Sequence, residues 1–112
     1  MLLLHLMEKS KQKYIINWNF INALNKYKGD FVNNLKEGKG IFLYINGDRY
    51  EGEFKNDKRE GKGTYIWSNG CCYIGDATND KMEGKGIYYF KNGDRYEGEF
   101  INFKKEGKGT YY

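Results

Sequence analysis

Lys39, Lys62, Lys85 and Lys108 stand 23 residues apart, each inside the same tetrapeptide, Glu-Gly-Lys-Gly, so the sequence carries a row of ammonium groups at fixed spacing. Such a row could track an acidic phospholipid surface, where each lysine near the membrane is worth about 1 kcal/mol. The same repeats carry the opposing charge. Glu51, Glu53, Glu97 and Glu99 alternate onto the same outward face, and Glu37, Glu60, Glu83 and Glu106 flank the lysines. Mixed signs favour a solvated, solubilising face, and binding of phosphoinositide or phosphatidylserine stands as the alternative.

No other polar constellation points to catalysis. The carboxylates recur once per repeat, as a surface pattern would, whereas a general acid or base needs one group in a singular environment. His5 is the one histidine, and the adjacent Cys71 and Cys72 form neither a disulfide framework nor a zinc ligand set. Gly38-Lys39-Gly40 and its copies lack the G-x-x-x-x-G-K-[ST] spacing of a phosphate loop. The expectation is a non-enzyme with no catalytic, cofactor-binding or metal residues, no cofactor and no small-molecule substrate. A formal net charge of +4 is too mild for nucleic-acid binding.

The elements that position the lysines follow from the repeat. Tyr27, Tyr50, Tyr73 and Tyr96 share the 23-residue period, each followed two places later by glycine, and "GDRYEGEF" is spelled at both 47–54 and 93–100. All 15 glycines fall on four phases of this period, and proline is absent. Within a unit, Tyr50-Glu51-Gly52-Glu53-Phe54 and Gly61-Lys62-Gly63-Thr64-Tyr65-Ile66-Trp67 alternate with period two, as strands with one covered face do. Lys55 to Glu60 reads as a six-residue polar connection, and Asn46-Gly47, Asn69-Gly70 and Asn92-Gly93 read as hairpin turns between units. The fold predicted is all-β: an elongated, single-layer antiparallel meander of stacked hairpins, twisted or curved, advancing about 10 Å per repeat.

Apolar residues are only 39% of the chain while aromatics alone are 18%, so any core must be built from rings. A three-residue loop Asn46-Gly47-Asp48 would set Tyr44 against Tyr50 and Phe42 against Gly52. That register unites Tyr, Gly and Phe on one face and is preferred over a two-residue loop, which exchanges the faces. The rings then form two columns, Phe42, Tyr65, Tyr88, Tyr111 and Tyr44, Trp67, Phe90, flanked by the period tyrosines. Most of these rings pack the core, while any left open in a groove would anchor a partner. The candidates are Phe42, Tyr44, Tyr50, Tyr65, Trp67, Tyr88, Phe90 and Tyr96.

The units run 27–49, 50–72, 73–95 and an incomplete 96–112. Residues 14–26 read as a degenerate capping strand or a short helix, and 1–13 as a partly disordered leader whose largely apolar opening, residues 1–7, falls far short of a bilayer span. Cysteine usage suggests a reducing, cytoplasmic setting.

The Y-x-G-x-(F/W), G-x-G-x-(Y/F) and turn-glycine pattern, in register over Tyr27 to Tyr112, resembles the MORN repeat family. The resemblance implies a β-hairpin array serving as scaffold or oligomerisation arm in cytoskeletal, ciliary or membrane-associated assemblies. It also implies, alternatively, a binder of acidic phospholipids or a regulatory array of a larger lipid kinase. Protein partners or self-association are thus expected. Ala77 stands where Phe31, Phe54 and Phe100 stand, and Cys71-Cys72 replaces Asp48-Arg49, which predicts looser packing in the third unit.

Overall fold

The computed structural model describes residues 25–112. The leader, and all of the capping segment but Asn25 and Lys26, lie outside the described residues. Among the described residues eight strands follow one another: β1 (Lys26–Val32), β2 (Leu35–Leu43), β3 (Arg49–Lys55), β4 (Lys58–Ile66), β5 (Cys72–Thr78), β6 (Lys81–Tyr89), β7 (Arg95–Ile101) and β8 (Lys104–Tyr111). They form one antiparallel sheet in strict chain order, 49 × 28 × 16 Å overall. Four two-stranded units at about 10 Å each account for most of the long dimension.

The two kinds of turn exchange the roles read from the sequence. Asn56-Asp57 is the tight one: Lys55 pairs with Lys58, and both central residues have positive φ (50° and 72°), the geometry of a type I′ turn. Lys55 to Glu60 is therefore strand and turn, not a six-residue connection. Asn46-Gly47 instead lies in a three-residue loop, Ile45-Asn46-Gly47. Tyr44 N–H donates to Asp48 O (2.9 Å), Gly47 N–H donates to Tyr44 O (2.9 Å), and Gly47 has φ 97°. Asn46 Oδ1 accepts from Asp48 N–H at 2.9 Å, which is why asparagine precedes the glycine.

This loop moves the register two residues from the expected one. Phe42 faces Tyr50, Gly40 faces Gly52 and Gly38 faces Phe54, where Tyr44–Tyr50 and Phe42–Gly52 pairs were expected. A shift of two preserves the faces, so the ring face is the one predicted. The pairing brings glycine opposite glycine within and between units, as in Gly52–Gly63 and Gly63–Gly75.

The glycine pairs are where the tyrosines lie. A Cβ on Gly63 would stand 2.5 Å from Tyr50 Cε1, and a Cβ on Gly52 would stand 2.5 Å from Gly63 Cα and 2.7 Å from Tyr50 Oη. Each period tyrosine thus covers the bare backbone beside it, and the cover comes from the same unit's Tyr, not from the cross-strand Phe42. The hydroxyl reaches past the glycines and donates to Glu53 O at 3.0 Å; Tyr27 and Tyr73 donate likewise to Asp30 O (2.9 Å) and Asp76 O (2.6 Å).

Phenylalanines wedge between successive tyrosines. Phe54 meets Tyr27 and Tyr50 edge-on at 5.2 Å each, and Phe100 meets Tyr73 and Tyr96 at 5.0 and 5.5 Å. In the third unit Ala77 leaves that wedge out, and Met82 enters the core beside Tyr73, Tyr96 and Phe100. Tyr73 is 2% exposed, so the looser packing predicted there is confined to the place of the missing ring.

Gly63→Ala is expected to displace Tyr50 and cost about 3 kcal/mol. Gly93→Ala adds the same methyl where nothing lies within 4 Å, at φ 99°, and costs only the backbone penalty of about 1–2 kcal/mol. Urea unfolding of the two variants measures the difference, and equal losses would refute a packing role for the glycine pair.

Candidate functional site

The ring face carries a ladder that alternates between the two predicted columns. Phe42, Tyr44, Tyr65, Trp67, Tyr88, Phe90 and Tyr111 follow one another with centroids 4.5, 5.6, 4.7, 5.3, 5.0 and 6.4 Å apart. The separations lie in the range that aromatic pairs favour. Six of these seven rings are half-buried and Tyr111 is exposed. Tyr50 and Tyr96, grouped with them from the sequence, are 3% and 4% exposed and belong to the core. The open set is therefore Phe42, Tyr44, Tyr65, Trp67, Tyr88 and Phe90.

Cations that the sequence reading passed over stand among these rings. Lys36 Nζ lies 5.3 Å from the Phe42 ring, Arg59 Cζ 5.4 Å from Tyr65, and Lys105 Nζ 5.7 and 5.4 Å from Tyr88 and Phe90. They occupy one phase of the repeat, opposite Phe31, Phe54 and Phe100, while Met82 takes that phase opposite Ala77. Their signal in the sequence was this covariation: a cation beside each phenylalanine and a thioether beside the alanine.

Two of these cations also join one unit to the next. Asp57 Oδ1 accepts from Lys36 N–H (2.8 Å) and pairs with its ammonium (3.1 Å), while Asp57 N–H donates to Lys36 O (3.0 Å). Asp80 repeats the arrangement on Arg59 at 2.8, 3.1 and 3.0 Å. At the third junction Phe103 replaces the aspartate and meets Met82, with only the backbone bond retained (3.2 Å). Glu37, Glu60 and Glu83 accept from the N–H of Asn56, Asn79 and Asn102 in the following turn, at 3.1, 2.9 and 2.9 Å. The glutamate of the tetrapeptide is therefore a cap between units.

Electrostatics follow from these bonds. Burial pushes the hydroxyls of Tyr27, Tyr50 and Tyr73 up to about 12 from 10.0. Tyr88 rises to about 12 through burial and its contact with the Cys71 thiol. Asp48 is 7% exposed, and burial alone would raise it. Bonds from Ser68 N–H (2.8 Å), Tyr65 OH (2.8 Å) and Asn46 outweigh that and hold its carboxyl below 3.8.

The lysine row occupies the other face. Lys39, Lys62 and Lys85 stand directly across from Glu53, Asp76 and Glu99 in the neighbouring unit, and the Lys62 ammonium bonds the Asp76 carboxylate, holding it below its ordinary value. Lys108 lies on β8 at the end of the sheet. The tetrapeptide's first glycine, Gly61, sits at φ 93° in a bulge opposite Glu53, whose carboxylate accepts from Lys62 N–H at 3.1 Å. Among the described residues no group of His, Cys, Asp or Glu could hold a metal, and no helix is long and apolar enough to cross a membrane.

A family model described as MORN repeat matches residues 27–49, 50–72, 73–95 and 96–112 in succession. The chain belongs to the MORN repeat family. Each match opens on a period tyrosine, the second residue of β1, β3, β5 or β7. MORN repeats form a non-catalytic module of protein and membrane interaction. No curated protein matches the chain.

Two titrations probe the MORN core. A tyrosine raised in the folded state contributes stability fully below pH 10, lost as the pH climbs from 10 towards 12. Near-ultraviolet tyrosinate absorbance should therefore rise in two stages, the second coinciding with unfolding; one smooth transition near 10 would contradict the burial. Asp48 has the opposite sign: its lowered carboxyl stabilises above pH 3.8, and the contribution disappears as the pH falls through its folded value. Asp48→Asn should lower the melting temperature at pH 7 and match the parent near pH 2; equal melting at both pH values would refute the assignment.

Proposed function

We propose that this MORN array is a scaffold module that engages a protein partner through its ring face. The observation that carries the reading is the ladder itself: half-buried rings interleaved with cations along one side of a single-layer sheet. Aromatic side chains and arginine supply much of the binding energy at protein interfaces, and the ladder offers both as a strip suited to an extended or helical segment. The sheet beneath is held by main-chain bonds across every strand junction, so the strip is presented on a preorganised support.

The lysine face supports lipid binding less well. Each of Lys39, Lys62 and Lys85 faces a carboxylate one strand away, which cuts the net field that an acidic headgroup would meet. Cytoskeletal or membrane-associated assemblies are the setting this scaffold role proposes, with self-association as one form of it.

Affinity capture of partners from the source cell, with the parent array beside Trp67→Ala/Phe90→Ala and Lys39→Glu/Lys62→Glu/Lys85→Glu, tests the reading. The ring variant is expected to lose the captured partner and the lysine variant to keep it. Retention by the ring variant, with flotation on phosphatidylserine or phosphoinositide vesicles that the lysine variant abolishes, would overturn the proposal in favour of lipid binding.

A further inference from the structure

Three independent features meet at Ala77. It replaces the phenylalanine that wedges between successive tyrosines in the second and fourth units. The buried core divides there: Tyr27, Tyr50 and Phe54 form one cluster, and Tyr73, Met82, Tyr96 and Phe100 another. A hollow lies between them, walled by Tyr50, Tyr73, Ala77, Met82 and Phe103.

The hollow is apolar and its walls are two tyrosines of the kind that elsewhere hold a ring edge-on at 5.0–5.5 Å. Its present free volume is about 10 Å³, room for one water, because Met82 reaches into the core beside it. Methionine is unbranched and adapts its shape readily, so this side of the hollow is the one that yields. On another side stands Phe103, 45% exposed and at φ 69°, a conformation a bulky side chain adopts only under constraint. Arg59 and Lys81 flank the hollow, Asp80 is already engaged by Arg59, and the chain as a whole is +4.

We propose that the place of the missing phenylalanine is an anchor pocket, taking one aromatic side chain from an acidic partner segment that lies along the ring face. The pocket rests on the ring-face reading given above and adds what the partner must carry. Its ring enters between Tyr50 and Tyr73 as Phe54 does between Tyr27 and Tyr50, Met82 turns aside, and flanking carboxylates meet Arg59 and Lys81. The occupant completes the core that the chain leaves divided.

The probe is the acetylated, amidated peptide EEFEE, titrated into the 15N-labelled full chain, with EEAEE as control. Shifts centred on the amides of Tyr73, Ala77 and Met82 are expected with EEFEE, and binding about tenfold weaker for EEAEE. Ala77→Phe should raise the urea midpoint by restoring the wedge and weaken EEFEE about tenfold. Ala77→Phe/Met82→Arg, which installs the Phe54–Arg59 pair of the second unit, should do the same and serves if the single variant is overpacked. No binding of EEFEE, equal binding of EEAEE, or binding unchanged by both filling variants would each overturn the pocket. Shifts confined to Trp67 and Phe90 that neither filling variant alters would overturn it while leaving the ring-face reading standing.

Discussion

A tyrosine ring lying on a pair of glycines is the contact on which this sheet depends. Among the described residues the sheet has no second layer to cover it, so its backbone is sheltered by its own side chains. Tyr50 can do this because Gly52 and Gly63, paired across the strands, both lack a Cβ and let the ring approach the main chain. Its hydroxyl then meets Glu53 O, which satisfies the polar end of an otherwise buried side chain. The wedge of Phe54 between two such tyrosines converts a local cover into a core running from unit to unit.

Given that contact, the remaining positions of the repeat follow. The first glycine of the tetrapeptide takes up a bulge, the second lies under the ring, the glutamate caps the next turn, and the lysine is left facing a carboxylate. Aspartates at the tight turns bind the cation of the preceding unit, so successive hairpins are registered by Lys36–Asp57 and Arg59–Asp80. Partly exposed ion pairs of this kind contribute on the order of 1 kcal/mol each; their backbone bonds fix the spacing of the units as well. Where the chain changes this pairing to Met82 and Phe103, it also changes Phe to Ala at position 77, and the substitutions concentrate at one junction.

Much of this was legible before any coordinates. Period-two alternation and the 23-residue spacing gave the strands, the meander and the ring face, because a polar chain whose glycines all keep one period leaves few other arrangements. The register was not legible: Asn46-Gly47 suits several loops, and the observed loop is the one that sets Gly40 against Gly52 across β2 and β3, a contact between strands. For the same reason Asn56-Asp57 looked like part of a long connection when it is the tighter turn. Arg59 read as part of the polar connection Lys55 to Glu60, with Lys36 and Lys105 at the same phase of the repeat, where charge reads as solvated; the tight turn instead places all three on strands, opposite Phe54, Phe31 and Phe100. Tyr50 and Tyr96 could not be told from the open rings by type, since burial is decided by which tyrosine has glycines beneath it.

The proton chemical shifts of the glycines test the central contact most directly. Ring currents act on Hα protons held against an aromatic face, so one Hα each of Gly40, Gly63, Gly86 and Gly109 should lie well upfield of those of Gly47, Gly70 and Gly93 in the turns. Loss of that displacement in Tyr50→Leu at Gly63 alone would complete the assignment. If the two groups of glycines resonate together in the parent, the tyrosines do not lie on the glycine pairs, and the account of the fold is wrong.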